Sequence, residues 1–446
     1  MALKQPNTTR IISLGFAAVI LLGSVLLALP IASRTGESIG YFNALFTATS
    51  SVCVTGLVVV DTGTTFSSFG HGVLLALIQT GGLGFMTIAT LLFMLAGKRI
   101  TLRERLVIQE SMSESGPSGM VRLIRWVAGM TFAFEGVGAA LLAFRFVPQF
   151  GWGKGLFYSV FHAVSAFCNA GFDLMGNYSS LTSYCADPLV NFTVMALIVS
   201  GGLGFGVWRD MFACRGSFRK MKVHTRLVLI ASAALIVLGA AFMAALEWVN
   251  PDTLGNLNPL EKIQAAFFQS ITMRTAGFNT VDLGAMHTGT KFLSSIWMFI
   301  GAAPASTGGG VKVTTIALLG LLVYSVACGR EECVIFRRTM PRALIQRAVV
   351  IAMISFTIVA ADIFLLTIAE PGTDFIDIVF EVFSAFATAG VTSAGTPVFG
   401  RFAHIVLMIS MFIGRVGPLT LALALARKQA RGGEKLRYPE DKVLVG

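Results

Sequence analysis

Apolar runs alternate with short polar loops along the whole chain. A membrane-spanning helix needs about 20 mostly apolar residues, and eight runs reach that length. They occupy residues 10–30, 71–96, 121–147, 188–213, 224–249, 292–327, 343–369 and 402–426. The first run follows basic residues, as the apolar part of a signal peptide does, but no small-residue cleavage site closes it. We therefore predict a retained first helix and eight membrane spans.

The composition agrees with a membrane protein and excludes several other classes. The chain of 446 residues is 55% hydrophobic and 13% charged, whereas soluble domains are about 25% charged. The same numbers exclude disordered, collagen-like and coiled-coil chains. The six cysteines form no Cys-x-x-Cys pair, so we expect free thiols rather than a disulfide framework or a zinc site.

The positions of the basic residues predict the orientation of the chain in the membrane. The formal net charge is +11, and 25 of the 34 Lys and Arg residues lie in loops on the side that holds both termini, against six on the opposite side. Cytoplasmic loops carry such an excess, so we predict cytoplasmic N- and C-termini. The basic residues are spread over five loops and form no single face, so we expect no nucleic-acid partner.

Four segments between consecutive spans resemble one another. Each has a Phe ten residues before a glycine and an apolar residue directly after it, and the aligned glycines are Gly56, Gly171, Gly277 and Gly390. This repeat predicts an all-α membrane protein with eight transmembrane helices, arranged as four pseudo-symmetric helix–pore-helix–filter-loop–helix repeats around a central pore. The predicted repeats are residues 1–97, 98–215, 216–328 and 329–427, followed by a cytoplasmic C-terminal tail at 428–446.

The repeated loop predicts a site for a monovalent cation. The apolar stretch before each glycine is only about 10–12 residues long, which fits a re-entrant half-helix rather than a span. Bare backbone at membrane depth is tolerated only inside protein or beside a wet cavity. Glycine lets carbonyls turn toward a common axis, where they can replace the hydration shell of an ion. The motifs contain no carboxylate, which argues against calcium and magnesium. The predicted ion-binding residues are Val54, Thr55, Gly56, Asn169, Ala170, Gly171, Thr275, Ala276, Gly277, Thr388, Ala389 and Gly390.

These loops and three further motifs resemble one known family over essentially the whole chain. The loop motifs are Val-Thr-Gly-Leu (54–57), Asn-Ala-Gly-Phe (169–172), Arg-Thr-Ala-Gly-Phe-Asn (274–279) and Ala-Thr-Ala-Gly-Val (387–391). The others are Ser-Thr-Gly-Gly-Gly-Val-Lys-Val (306–313), Gly-Arg-Val-Gly-Pro-Leu-Thr (414–420) and the segment 437–446. Together they resemble the Trk/Ktr/HKT superfamily of potassium transporters, and most closely the KtrB-type membrane subunits of bacterial Ktr uptake systems.

The resemblance implies a potassium-selective pore in each protomer and a homodimer in the bacterial inner membrane. It also implies a separate cytosolic nucleotide-binding ring, similar to KtrA or TrkA, that regulates the pore. Plant relatives that admit sodium carry serine at the first filter position, so Gly56 favours potassium. A sodium dependence of uptake is suggested by the resemblance alone. The chain has no nucleotide-binding fingerprint, so we expect potassium as its substrate and no bound nucleotide.

Residues 301–313 interrupt the run 292–327. Pro304 and the glycines at 308–310 disfavour a continuous helix. We predict a flexible loop beneath the filter; a simple kink between packed helices is the alternative. The resemblance favours a gating loop, and the predicted gate residues are Ser306, Thr307, Gly308, Gly309, Gly310, Lys312 and Arg415.

Charged residues at membrane depth usually face a cavity or a partner. Arg415 in the last run either faces the pore and holds the loop shut, as the resemblance favours, or forms an ion pair between helices. Lys312 stands near the cytoplasmic mouth or snorkels to the interface. Arg274 is expected to support the third loop from behind by bonding carbonyls or a carboxylate.

Other polar residues allow two interpretations each. For Glu135 and Asp362 we favour structural, hydrogen-bonded or protonated groups over a proton relay, and for His162 packing over ligation. Three acidic residues just past the filter loops either concentrate cations at the mouth or cap turns. They are Asp61, Asp173 and Asp282.

Two other functions fit the sequence less well. An ion-coupled secondary transporter of a small solute also uses broken helices and repeats, but usually with twofold inverted symmetry. A membrane-embedded enzyme is disfavoured, because the chain contains no Gly-x-Ser-x-Gly, HExxH or P-loop motif. We therefore expect no enzymatic activity.

Overall fold

A computed structural model describes residues 8–95, 120–330 and 332–418, and these fold mainly into helices. The predicted tail at 428–446 and the predicted loop residues 98–119 lie outside the described residues. The helices are α1 (Thr8–Ala28), α2 (Tyr41–Cys53), α3 (Thr62–Thr65), α4 (Ser68–Leu83), α5 (Phe85–Leu95), α6 (Met120–Phe150), α7 (Trp152–Phe167), α8 (Pro188–Gly202), α9 (Phe205–Ala213), α10 (Val223–Glu247), α11 (Pro259–Thr272), α12 (Thr288–Phe299), α13 (Val313–Ala327), α14 (Arg342–Ala369), α15 (Phe375–Ala387) and α16 (Arg401–Val416). Short 3-10 turns cover Pro30–Ala32, Thr182–Tyr184, Phe218–Lys220 and Thr396–Val398, and one antiparallel hairpin pairs β1 (Val334–Ile335) with β2 (Arg338–Thr339).

Four long apolar helices form the periphery. In the described part of the chain, the segments long and apolar enough to cross a membrane are Arg10–Ala28, Val121–Phe150, Val223–Glu247 and Arg342–Ala369. Between 17% and 39% of each is buried inside the protein, so most of their apolar surface faces outward, as lipid contact requires. They match four of the predicted runs to within a few residues.

The other predicted runs are broken rather than straight. α8 and α9 bend by 93° and count as a fifth candidate span only if taken together. The breaks fall at glycines with left-handed backbone, Gly84 (φ 80°) and Gly204 (φ 89°), and α16 ends before Gly417 (φ 95°). A residue with a β carbon is strained there, so the helix stops. By length and composition the structure offers four spans, or five with the bent pair, and the count of eight stays a prediction.

The interior is built around four short helices, α2, α7, α11 and α15, here called the half-helices. Each has 13 to 16 residues, too few to cross a bilayer. In three of them the Phe ten residues before the aligned glycine is fully buried, at positions 46, 161 and 380. In α11 the neighbouring Phe268 is fully buried instead, while Phe267 is only partly buried. The half-helices are therefore the core of the fold, as their apolar patterns predict.

One buried carboxylate ties the end of α10 to two other segments. The side chain of Glu247 is fully buried. It accepts hydrogen bonds from Asn250 Nδ2 (2.6 Å), Thr253 Oγ1 (2.8 Å), the His287 amide (3.1 Å) and Thr290 Oγ1. A buried charge is tolerated when hydrogen bonds replace its water shell. This cluster fixes the loop after α10 against the start of α12.

We expect Glu247→Ala to lower the free energy of unfolding by about 3 kcal/mol, because it leaves buried donors without an acceptor. Thermal unfolding in detergent measures the change. Glu37→Gln, at an exposed glutamate, is the matched control and should unfold at the wild-type temperature. A Glu247→Ala protein as stable as wild type would contradict the role given to this cluster.

Candidate ion-binding site

Four segments that follow the half-helices meet in the centre of the protein. They are residues 54–56, 169–171, 275–277 and 388–390, here called the filter segments, and they contain all twelve predicted ion-binding residues. Every residue in them is buried. Each segment begins one to three residues after its half-helix ends.

The filter segments share one backbone conformation. The residue two before each glycine is left-handed although it has a β carbon, with φ of 57° at Val54, 59° at Asn169, 75° at Thr275 and 54° at Thr388. The glycines are also at positive φ, from 69° to 101°. Left-handed non-glycine residues are uncommon. Four at the same position of four segments indicate a conformation that the surrounding structure imposes.

The amide groups of the filter segments point back to their own half-helices. The residue directly before each glycine donates its N–H to a carbonyl in the last turn of that helix. These bonds are Thr55 N to Ser50 O (2.8 Å), Ala170 N to Ser165 O (2.8 Å), Ala276 N to Thr272 O (2.9 Å) and Ala389 N to Ser384 O (2.8 Å). The carbonyl of a trans peptide points opposite to its N–H. The carbonyl of each left-handed residue is therefore turned away from its helix.

Those carbonyls are left without partners. In the described ranges, none of the twelve filter-segment carbonyl oxygens accepts a hydrogen bond from a backbone or side-chain donor. Buried backbone carbonyls are nearly always paired. Twelve unpaired ones in one place are the electrostatic pattern that suits a bound cation.

The four glycines approach each other so closely that no side chain fits between the segments. A β carbon on Gly171 would lie 2.5 Å from the Cα of Gly277, and one on Gly56 would lie 2.7 Å from the Ala170 carbonyl oxygen. A β carbon on Gly390 would lie 2.9 Å from the Cα of Gly56. The structure thus brings together all four aligned glycines, which the sequence spreads over more than 330 residues.

Hydroxyl groups of the half-helices hold the filter segments from behind. Ser50 Oγ accepts from the Gly56 amide (3.1 Å), Ser165 Oγ donates to the Phe172 carbonyl (2.7 Å), and Thr272 Oγ1 donates to the Phe278 carbonyl (2.5 Å). These three residues were not predicted as site residues. The sequence feature that could have revealed them is a Ser or Thr five or six residues before each aligned glycine. In the fourth repeat Ser384 occupies this position.

Two cavities lie on opposite sides of the filter segments. The upper cavity, about 390 Å³, adjoins the glycines and the residues after them, including Asp61, Asp173 and Asp282. The lower cavity, about 350 Å³, adjoins residues 304–312 and Arg415. An ion at the filter segments would have a compartment on each side.

The three acidic residues of the upper cavity also cap local turns. Asp61 accepts from the Gly63 amide (2.8 Å) and, across repeats, from the Tyr178 amide (3.1 Å). Asp173 accepts from the Met175 amide (2.9 Å), and Asp282 from the Gly284 amide (2.9 Å). Burial raises the pKa of the Asp173 carboxyl to about 6. The structure therefore agrees with both interpretations, because these residues cap turns and also line the upper cavity.

The predicted interruption of the run 292–327 is confirmed. α12 ends at Phe299 and α13 begins at Val313, so the segment between them is a loop and not a kink. A short parallel bridge between Ile300 and Val311 closes it. Lys312 Nζ donates to the carbonyls of Gly308 (2.7 Å) and Gly309 (3.5 Å), two of the loop's own residues.

Arg415 joins this loop to the first repeat. Its guanidinium donates to the carbonyls of Thr307, Gly81 and Gly82, the last at 3.2 Å. Within the described residues it forms no ion pair with a carboxylate. The structure thus agrees with a residue that holds the loop and disagrees with an ion pair between helices. The glycine carbonyls at the end of α4 were not predicted as its partners, since nothing in the local sequence links positions 334 residues apart.

The remaining charged residues at membrane depth bind neutral groups. Arg274 donates to Ser232 O (3.4 Å) and Ser232 Oγ (3.3 Å) on α10, so it supports its loop against a helix, and no carboxylate takes part. Glu135 accepts from Gln79 Nε2 (3.2 Å), and Asp362 accepts from Ser410 Oγ (2.8 Å). These bonds agree with structural roles.

His162 and an unpredicted ion pair complete the support of the loops. His162 bonds the Tyr158 carbonyl through Nδ1 (2.7 Å) and accepts from the Leu174 amide at Nε2 (3.3 Å), so it packs behind the second loop. Lys291 on α12 pairs with Asp377 on α15 at 2.8 Å, and Ser393 donates to the same carboxylate at 2.6 Å. Because Lys291 and Asp377 come from different repeats, only the tertiary structure reveals this pair.

Comparisons with known proteins agree on one family. The family model of TrkH cation transport proteins matches residues 3–432. The chain is 42% identical to Ktr system potassium uptake protein B of Bacillus subtilis, over 98% of this chain and 96% of the relative. It is 37% identical to the potassium/sodium uptake protein NtpJ of Enterococcus hirae, over 99% of this chain and 98% of the relative.

A solved structure has the same fold. The crystal structure of the potassium transporter TrkH from Vibrio parahaemolyticus matches with a TM-score of 0.72 and 18% identity, over 94% of this chain and 86% of that one. The resemblance that the loop motifs predict is thereby confirmed. This chain belongs to the TrkH family of cation transport proteins.

Proposed function

We propose that this protein takes up potassium ions across the cell membrane as the pore-forming subunit of a Ktr-type system. The twelve unpaired carbonyls of the filter segments carry this proposal, since they offer an oxygen cage without a fixed negative charge. Such a cage suits a weakly hydrated monovalent cation. The names of the relatives, potassium uptake and potassium/sodium uptake proteins, supply the identity of the ion.

The proposal includes four pseudo-symmetric repeats and eight spans. The repeated φ pattern and the repeated amide bonds of the filter segments support the fourfold arrangement. In this scheme the broken helix pairs cross the membrane together with the four long helices. The excess of Lys and Arg in the loops on the side of the termini supports cytoplasmic termini in a bacterial inner membrane. The upper cavity then faces outward and the lower cavity faces the cytoplasm.

The loop at 300–312 and Arg415 are proposed as the gate. The loop packs against the filter segments, and Arg415, which also lines the lower cavity, donates to its Thr307 carbonyl. A fixed positive charge in this cavity opposes the passage of a cation. Movement of the loop together with Arg415 would open the cytoplasmic exit.

The proposed partners are a second copy of the chain and a cytosolic nucleotide-binding ring. The name of the Bacillus relative, a protein of a Ktr system, supports a further component. The basic segments 209–226 and 328–347 offer a surface for such a ring. There Arg226 lies over the rings of Phe218 and Phe336, both of which are partly exposed.

Gly56→Ser is expected to lower the preference for potassium over sodium by about tenfold, or ~1.4 kcal/mol. Gly56 has φ of 101°, and a β carbon there would lie 2.7 Å from the Ala170 carbonyl oxygen, so the ring must distort. Ion fluxes into proteoliposomes measure the preference. Gly320→Ser, in open space on α13, is the matched control. Unchanged selectivity in Gly56→Ser would reject the filter assignment.

Deletion of residues 308–310 is expected to raise potassium flux several-fold in the absence of any partner, because it shortens the loop and removes the glycines that pack against the filter segments. Arg415→Gln should act in the same direction by releasing the loop from α4. Arg401→Gln, a basic residue at the start of α16 that lines neither cavity, serves as the control. Loss of flux in well-folded deletion protein would show that the loop is not a gate.

Potassium uptake at low concentration is expected to fall as the pH drops through 6. Asp173 has a raised pKa of about 6, so its carboxyl is ionised above that pH and neutral below it. One charge at contact distance in water is worth about 1 kcal/mol, or about fivefold in apparent affinity. The uptake of wild type and Asp173→Asn should be compared on either side of pH 6. The variant should lack the step, and a step that persists in it would assign the titration to another group.

A further inference from the structure

We infer that the filter segments themselves latch the gate, through the side chains of their left-handed residues. Three of these residues, Asn169, Thr275 and Thr388, have polar side chains that lie next to the loop at 300–312. Their backbone carbonyls are turned toward the proposed ion site. This inference deepens the proposed function and rests on it for the meaning of the loop as a gate.

The first contact joins the second filter segment to the loop. Thr307 Oγ1 donates to the Phe167 carbonyl (3.1 Å), and Asn169 Oδ1 lies 3.4 Å from the same hydroxyl. Asn169 Nδ2 in turn donates to Thr275 Oγ1 of the third segment (3.3 Å). All these side chains are buried, with at most 1% of their surface exposed, so water does not compete for the bonds. One loop threonine is thereby linked to two filter segments.

The second contact joins the fourth filter segment to the loop. The Gly309 amide donates to Thr388 Oγ1 at 3.2 Å, so the threonine acts as an acceptor for the loop backbone. A β carbon on Gly309 would lie 2.9 Å from Thr388 Cγ2, and one on Gly308 would collide with Thr275 Oγ1. The glycines of the loop are therefore needed at these positions, because they let its backbone come within hydrogen-bond distance of filter side chains.

The first filter segment has no polar side chain at the position of its left-handed residue. Its left-handed residue is Val54, which has no hydrogen-bonding side chain. A β carbon on Gly81 would lie 2.9 Å from Val54 Cγ2, so Val54 packs against the end of α4 rather than the loop. Gly81 is also where Arg415 anchors. The second and fourth filter segments thus bond the loop directly, and Thr275 of the third packs against Gly308. The first segment packs against Gly81, which accepts a hydrogen bond from the same arginine that bonds the loop.

A latch of this kind couples the gate to the ion site. Displacing the loop breaks its bonds to Asn169 and Thr388, the residues whose left-handed backbone orients the filter carbonyls. Coupling between two sites is reciprocal, so the state of the filter segments must also influence how firmly the loop is held. Regulation from the cytoplasmic side and ion occupancy would then act on one shared set of hydrogen bonds.

The test removes one hydroxyl and reads out the position of the loop. Thr388→Val keeps the side-chain shape and loses the acceptor for Gly309. In a Ser306→Cys background, the rate at which a membrane-impermeant maleimide labels position 306 reports loop exposure. Peptide mass spectrometry separates this label from that on native cysteines such as Cys328. Loss of one hydrogen bond should raise the labelling rate and the potassium flux about fivefold.

The matched control is Thr131→Val on α6, a fully buried threonine whose hydroxyl has no hydrogen-bond partner among the described residues. It should change neither labelling nor flux. Thr307→Val breaks the other contact from the loop side and replaces Thr388→Val if that variant does not fold. Unchanged labelling in a folded latch variant would overturn the inference.

A double variant separates the latch from a direct effect on the ion. In protein that lacks residues 308–310, Thr388→Val should no longer raise the labelling rate at position 306, because its partner Gly309 is gone. An increase in labelling of the same size with and without residues 308–310 would show that Thr388 does not act through Gly309 and would overturn the latch. Absence of potassium flux in every variant would reject the proposed function, while the labelling rates would still decide whether the filter side chains hold the loop.

Discussion

Unpaired backbone carbonyls in the centre of the protein are the constraint on which the rest of the structure depends. A buried carbonyl without a hydrogen bond costs about 1–3 kcal/mol, and the filter segments contain twelve. A cation bound at the proposed site would offset this cost, provided that the carbonyls are already held in place. The half-helices supply that support, because each accepts the amide of its filter segment in its last turn.

The same constraint explains where polar side chains occur in an otherwise apolar protein. Ser50, Ser165 and Thr272 bond the filter segments from the half-helices, and His162 bonds the backbone three residues beyond the second glycine. The Lys291–Asp377 pair ties the fourth half-helix to α12. These polar groups support the filter segments from outside, and the proposed ion site itself contains no charged residue.

Below the filter segments the charges have a different arrangement. Lys312 and Arg415 both donate to backbone carbonyls around the loop at 300–312, and the loop glycines fit against Thr275 and Thr388. The loop is therefore held by directional hydrogen bonds in addition to the packing of the buried Ala302, Ala303 and Val311. If the loop is the proposed gate, opening must break these bonds.

The sequence by itself determined the helical class, the four long peripheral apolar helices, the break in the run 292–327 and the four glycine loops, because these depend on local apolar periods and on glycine spacing. It also pointed to the family through the loop motifs. The breaks at Gly84 and Gly204 were not predicted, since apolar length does not reveal a backbone at positive φ. Only the tertiary structure decided that Arg415 binds Gly81, that Lys291 pairs with Asp377 and that Thr388 reaches the loop. Those contacts join residues 79 to 334 positions apart, and no local pattern encodes which distant groups folding brings within hydrogen-bond distance.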